Sequence, residues 1–186
     1  MLVFLTEEAS ISPVIRKLIH DLWPAAIEGL NWQIVAHQGK ADLEANMVKK
    51  MKSWNYNSPH FIILRDNDGG DCRVLKQRLL TLVCGTGKPS HIRIVCQELE
   101  AWFLGDLAAV EAAYPLSRAS AQQNRNPYRT PDVPTNASQL LDVLTGSTAK
   151  VGRSEQIAPH LDIHSNLSAS FQMLVNLLRN LIPNHT

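Results

Sequence analysis

The chain lacks any apolar run near the ~20 residues that a transmembrane helix needs. Leu2-Val3-Phe4-Leu5 is too short for the hydrophobic stretch of a secretory leader, and Glu7-Glu8 follow at once. Cysteine is sparse: Cys72, Cys84 and Cys96 stand twelve residues apart. No pair has zinc-knuckle spacing, and an odd number cannot complete a set of disulfides. The expectation is a cytoplasmic protein, off the membrane, with reduced thiols. An excess of either charge is missing too. Eighteen Lys and Arg face seventeen Asp and Glu, so the bulk balance argues neither for nor against a nucleic-acid partner. Internal repeats and low-complexity tracts are absent as well, which excludes a solenoid.

The 186 residues suit one domain, or one domain with an appendage, and 45% hydrophobic content supplies a core. Four short apolar runs read as strands: 2–5, 32–36, 60–65 and 91–96. Amphipathic helices alternate with them. The segment 11–23 spaces Val14, Ile15, Leu18, Ile19 and Leu22 on one face, with Ser10 as its expected cap. Helix 41–54 carries Leu43, Met47 and Met51 inward, and helix 71–84 carries Val74, Leu75, Leu79, Leu82 and Val83 inward. A further helix is expected near 107–113. The alternation implies an α/β fold: a four-stranded parallel, Rossmann-like sheet with helices on both faces. Past Tyr114 the composition turns rich in Pro and Asn, and short helices follow near 137–144, 155–160 and 168–182. The expected division is an α/β domain over 1–113 and a helical extension over 114–186 packed on it.

Ligands of parallel sheets gather outside the carboxyl ends of the strands. Polar clusters fall at all four such ends: Glu7, His37 to Lys40, Asp66 to Asp71, and Glu98 to Glu100. The most informative is Asp66-Asn67-Asp68-Gly69-Gly70-Asp71. Two carboxylates two residues apart repel each other where water is scarce, and a divalent cation relieves the repulsion. A helix-loop-helix calcium site is excluded, because Gly70 and Gln77 hold its fifth and twelfth places. Gly85-Thr86-Gly87-Lys88 is no phosphate loop: Leu82 replaces the first glycine and Pro89 the Ser/Thr. His160 and His164 have no evident third partner for a metal.

Asp66 and Asp68 resemble the Asp-x-Asp pair of Toprim domains, and Glu7 resembles their single glutamate. That superfamily includes topoisomerases, bacterial primases and the overcoming-lysogenization-defect nucleases. Glu7-Glu8-Ala9-Ser10, Gly39-Lys40-Ala41-Asp42-Leu43, the Arg65 to Cys72 segment and Glu98-Leu99-Glu100-Ala101-Trp102-Phe103 together resemble a bacterial Toprim-like family of unknown function. Its C-terminal section resembles Tyr128-Arg129-Thr130-Pro131, Lys150 and Asn166 to Phe171. The resemblance spans nearly the whole chain. It departs at Glu8, where many Toprim domains carry glycine.

The resemblance implies a Toprim-like sheet in which the first and third strands are neighbours, bringing Glu7 to the aspartates. It implies Mg²⁺ or Mn²⁺ on Asp66, Asp68 and Glu7, with Glu98 or Glu100 completing a second metal position. Glu7 and Glu100 are the candidate catalytic acids or bases. Lys40, Arg129 and Lys150, together with Arg125 and Arg153, are candidate phosphate contacts. The competing readings are ordinary: Asp66 and Asp68 shape a turn, Asp71 caps its helix, Glu7 complements a helix dipole, and the basic residues are solvated. His37 reads as a satisfied loop histidine, and Trp23, Trp32 and Trp54 as core. The implied activity is Mg²⁺-dependent phosphodiester cleavage, with DNA a better expectation than RNA. The alternative is a non-catalytic nucleic-acid or nucleotide-binding subunit beside an ATPase partner in defence or repair. A small phosphorylated substrate is a third possibility.

Overall fold

A computed structural model describes residues 1–56 and 58–182. Four strands, β1 (Leu2–Thr6), β2 (Trp32–Ala36), β3 (His60–Asp66) and β4 (Ser90–Val95), form one sheet in the order β2-β1-β3-β4. All pairs are parallel, with Thr6 opposite Leu64 and Asp66 opposite Val95. The first and third strands are therefore neighbours, as expected.

Between strands lie α1 (Ser12–Leu22), α2 (Lys40–Ser53) and α3 (Cys72–Cys84). After β4 come α4 (Glu100–Leu104), α5 (Leu107–Ala113), α6 (Ala137–Thr145), α7 (Lys150–Ile157) and α8 (Ala169–Leu181). Successive strand residues point to opposite faces, so two cores form. Val3, Leu5, Phe61 and Ile63 pack under α2 and α3, against Leu43, Met47, Met51, Leu79 and Val83. Leu2, Phe4, Ile62 and Leu64 pack on the other face with α1 and with residues of α4 to α8, including Trp102, Leu141, Phe171 and Leu174. Among the described residues no helix is long and apolar enough to cross a membrane.

Several local expectations need correction. Val74 and Leu82 do not face inward: they are 66% and 41% exposed. The inward ridge of α3 is the narrower Leu75, Leu79, Val83 row at four-residue spacing. Ser10 does not cap α1. Its hydroxyl donates to Glu8 at 3.4 Å, and the helix starts later, at Ser12-Pro13, where proline suits a first turn. Helix α7 begins at Lys150 rather than Glu155 and ends before a 3-10 turn, Ala158–His160, that contains Pro159. Its first turn has no side-chain cap, so no local signal marks the start. Asp71 does cap α3, accepting from the Arg73 and Val74 amides at 2.7 and 3.1 Å.

The Pro- and Asn-rich segment is tied back to the sheet. Asp132 accepts from the Ser168 hydroxyl at 2.6 Å and the Ser170 amide at 3.0 Å, at the start of α8. The Ser170 hydroxyl in turn receives the Trp102 indole N–H at 2.8 Å. Trp32 and Trp102 are buried, and Trp23 and Trp54 pack against the two cores.

Candidate functional site

The carboxyl ends of β1, β3 and β4 meet at one edge of the sheet. Glu7 directly follows β1, and Asp66 is the last residue of β3. The Asp66 amide donates to the Glu7 carboxylate at 3.3 Å, joining two residues 59 positions apart. The chain then turns sharply. Asp68 and Gly69 have φ of +47° and +77°, a region that Gly adopts freely and Asp tolerates. Asn67 holds the turn: its side chain donates to Gly70 O at 2.6 Å and accepts from the Gln97 amide beyond β4. The turn is thereby fixed to the segment that leads into Glu98 and Glu100.

The acids share one electrostatic environment. Burial, then the carboxylates of Glu7, Glu100, Asp68 and Glu8, push Asp66 well above the ordinary carboxylate range. Burial also raises Glu7, opposed by the Arg65 guanidinium and the Asp66 amide. Burial and Glu100 raise Glu98, opposed by Lys150. Asp68 goes the other way. Burial works against its charge, but hydrogen bonds from Lys40 and Arg65 hold it below its usual value.

Three of the expected basic residues divide clearly. Lys40, at the start of α2, donates to Asp68 at 3.1 Å; both side chains are well exposed, so the pair adds little to stability. Lys150 is held in its charged form, against burial, by Glu100, Glu8, Glu98 and Asp66. Arg129 is exposed, and among the described residues it makes no ion pair with the cluster.

Arg153 does not belong to a phosphate rim. It is 1% exposed and forms a buried ion pair with Glu100 at 3.0 Å, and a second pair with Asp142. Its Nη1 also donates to the Ser147 carbonyl at 2.9 Å, so the buried guanidinium is met by two carboxylates and a carbonyl. Glu100 itself is 4% exposed. Tyr128 is also buried, and burial raises its hydroxyl pKa. His37 is 5% exposed; its Nδ1 lies 3.0 Å from Thr6 O, while its buried Nε2 has no partner, so it is only half satisfied.

The residue that sequence reasoning missed is Arg65. Its side chain is 6% exposed, and Nη1 reaches Glu7 at 3.1 Å, Asp68 at 3.2 Å and the Asp66 carbonyl. Its Nε lies 3.6 Å from Glu44 of α2, an ion pair too long for a hydrogen bond. Glu44 is gripped in turn by Arg78 of α3 at 2.6 and 2.7 Å. A signal did exist. A charge at the end of a strand covered on both faces must find buried partners, and the nearest were the acids already singled out.

The assembly offers hard oxygen donors for a hard cation, flanked by ammonium groups suited to phosphate. Among the described residues, no three His, Cys, Asp or Glu side chains are arranged to hold a metal ion. Arg65 lies between Glu7 and Asp68, where their charges converge. His160 and His164 also fail to form a pair on one helix: His160 ends a 3-10 turn, and the His164 ring lies 3.4 Å from Arg179.

No curated protein and no solved structure matches the chain. Residues 5–179, from the first strand through the last helix, match the family model of a domain of unknown function, DUF4276, and the chain belongs to that family.

Proposed function

We propose that the protein is a Mg²⁺- or Mn²⁺-dependent enzyme that cleaves phosphodiester bonds in nucleic acid, with DNA the preferred substrate. One observation carries the reading. Carboxylates from the ends of β1, β3 and β4 gather around buried Asp66, whose amide donates to Glu7 at 3.3 Å, and burial followed by the charges of Glu7, Glu100, Asp68 and Glu8 raises its pKa. The repulsion that raises Asp66 opposes folding, and a dication would relieve it. The resemblance of Glu7 and Asp66-Asn67-Asp68 to the Toprim signature points the same way.

Asp66, Asp68 and Glu7 would hold the ion, with Glu98 available for a second. Such an ion acidifies bound water and stabilises charge on a phosphate. Around it, each residue of the chain has a task. Where the ion rests on Asp66 and Asp68 alone, half-buried Glu7, its pKa raised chiefly by burial, is suited to accept and return a proton. Lys40 and Lys150 balance phosphate charge. Glu100, committed to Arg153, contributes negative potential rather than proton transfer. Arg65 competes with the ion for Glu7 and Asp68.

The test is cleavage of labelled DNA and RNA with Mg²⁺ or Mn²⁺, wild type against Asp66→Ala, alongside Mn²⁺ binding read by electron paramagnetic resonance. Loss of both in the variant is expected. Equal cleavage by the two proteins would sink the assignment of Asp66. A second reading, a non-catalytic nucleic-acid or nucleotide-binding subunit acting with an ATPase, is favoured by Arg65, which already neutralises two of the acids. Tight metal-dependent binding with no product after long incubation would select it.

A further inference from the structure

A cavity of about 240 Å³ wraps the outer edge of β4, next to the acid cluster. Arg73 and Lys76 of α3 and Arg93 of β4 line it, with Ile92, Ile94 and Met173 as its apolar wall. Strand β4 is last in the sheet, so this edge has no strand partner. The cavity adjoins the acid turn through Cys72 and Cys96, whose sulfurs lie 3.7 Å apart. Its Cys72 follows the cap Asp71, and its Cys96 precedes Gln97, whose amide donates to Asn67.

Among the described residues the half-buried Arg93 differs in its charge balance from the two fully buried arginines. Arg65 and Arg153 each face two or more carboxylates. Arg93 faces none. Its only hydrogen bond runs from Nη1 to the adjacent Ile92 carbonyl at 3.1 Å, and its buried Nε has no acceptor. Among the described residues Arg73 and Lys76 form no ion pair either. Asp71 heads the same helix, but its Oδ1 accepts the Arg73 and Val74 amides and its charge acts on Arg73 without forming an ion pair. Burial alone lowers the Arg93 pKa, with no anion to offset it. A half-buried guanidinium costs free energy unless an anion meets it.

We propose that this cavity binds backbone phosphate of a nucleic-acid strand and leads that strand over the β4 edge to the acid cluster. The proposal rests on the reading of the site given above and names the side from which the substrate enters. Phosphate suits three cations set beside an apolar wall, and backbone contacts of this kind position a strand without reading its sequence.

The experiment is fluorescence anisotropy of a short labelled single-stranded DNA in EDTA over a salt series, so that metal chemistry plays no part. The variants are the double Arg73→Gln/Lys76→Gln on the surface of α3, the triple that adds Arg93→Gln, and Arg93→Lys. Thermal melting establishes that each is folded; should the triple fail to fold, the double carries the test. The triple should weaken binding at least ~10-fold and flatten the slope of log K against log salt by about 2, as expected for three lost contacts to a single strand. Arg93→Lys should retain most of the binding. Wild-type affinity and slope in the folded double and triple would overturn the proposal, as would preferential binding of polyglutamate over DNA. The two readings fail separately. Cavity-dependent binding without cleavage defeats only the enzyme, and cleavage that ignores the cavity variants defeats only the cavity.

Discussion

Replacing Arg153 with methionine isolates one interaction that spans the sheet domain and the C-terminal helices. The guanidinium is 1% exposed, and its Nη2 donates to Glu100 at 3.0 Å. Nη1 pairs with Asp142 and donates to the Ser147 carbonyl at 2.9 Å. Methionine keeps much of the volume but none of the donors. Glu100, whose side chain is 5% exposed, would keep a buried charge without its partner. Breaking a buried pair by removing one member costs about 3–5 kcal/mol. Asp142 adds little to that figure, because its side chain is 31% exposed and water replaces the lost contact. Equilibrium unfolding in urea should therefore show Arg153→Met destabilised by about 3–5 kcal/mol with an unchanged m-value. For a chain of this length each kcal/mol moves Tm by roughly 2–4 °C, so melting should fall by about 6–20 °C. The double variant Glu100→Gln/Arg153→Met removes the stranded charge and should recover more than half of the loss. A cost below about 1 kcal/mol for the single variant would refute the reasoning, since a surface pair behaves that way.

Other predictions follow from the same geometry. Burial, then Glu7, Glu100 and Asp68, raise the Asp66 pKa in the folded chain, so the native state holds a proton that the unfolded state has released above about pH 4. Stability in EDTA should then fall as pH rises through the window between that value and the elevated one, and Asp66→Asn should flatten this slope, leaving the smaller contributions of Glu7 and Glu98, which are also raised; a flat wild-type profile in urea unfolding would count against it. Gly105→Ala should cost about 1–3 kcal/mol by overpacking, because the added methyl would sit 2.9 Å from the Ser168 backbone nitrogen and collide with Asn166. Asn166 has no room to yield, being bonded to Trp102 O and the Ser168 amide at 2.8 and 2.9 Å; calorimetry gives the answer. Iodoacetamide followed by peptide mass spectrometry should label exposed Cys84 first and Cys96 last, since burial and a hydrogen bond with Cys72 push the Cys96 thiol up to about 12 and only the thiolate reacts. Faster labelling of Cys96 than of Cys84 would contradict that environment.

Much of the framework could be read in the sequence because it is written locally. Alternating apolar runs and helical stripes follow from burial of one face at a time, and they place the strand ends where polar clusters collect. Asp71 was legible as a cap for the same reason, since its partners are two and three residues away. The inward face of α3 departs in part from the five apolar positions that suggested it: Leu75, Leu79 and Val83, with Leu80 beside them, pack against the sheet, and Val74 and Leu82 turn to solvent. The start of α7 was illegible because nothing at Ala149 or Lys150 caps it and packing alone sets it.

By itself, then, the sequence determined the parallel α/β order and the acids at the strand ends, while the nearness of Glu7 to Asp66 was implied only by the family resemblance and comes from the pairing of β1 with β3. Tertiary structure alone decided which cation answers which acid. Arg65 sits in the middle of the cluster, and Arg153 reaches Glu100 across 53 positions. It also decided that Arg93 should line a cavity without an anion. The physical reason is range. Periodicity records what each residue does within its own element, whereas a buried charge is satisfied by whatever the packing of distant elements brings within about 3 Å.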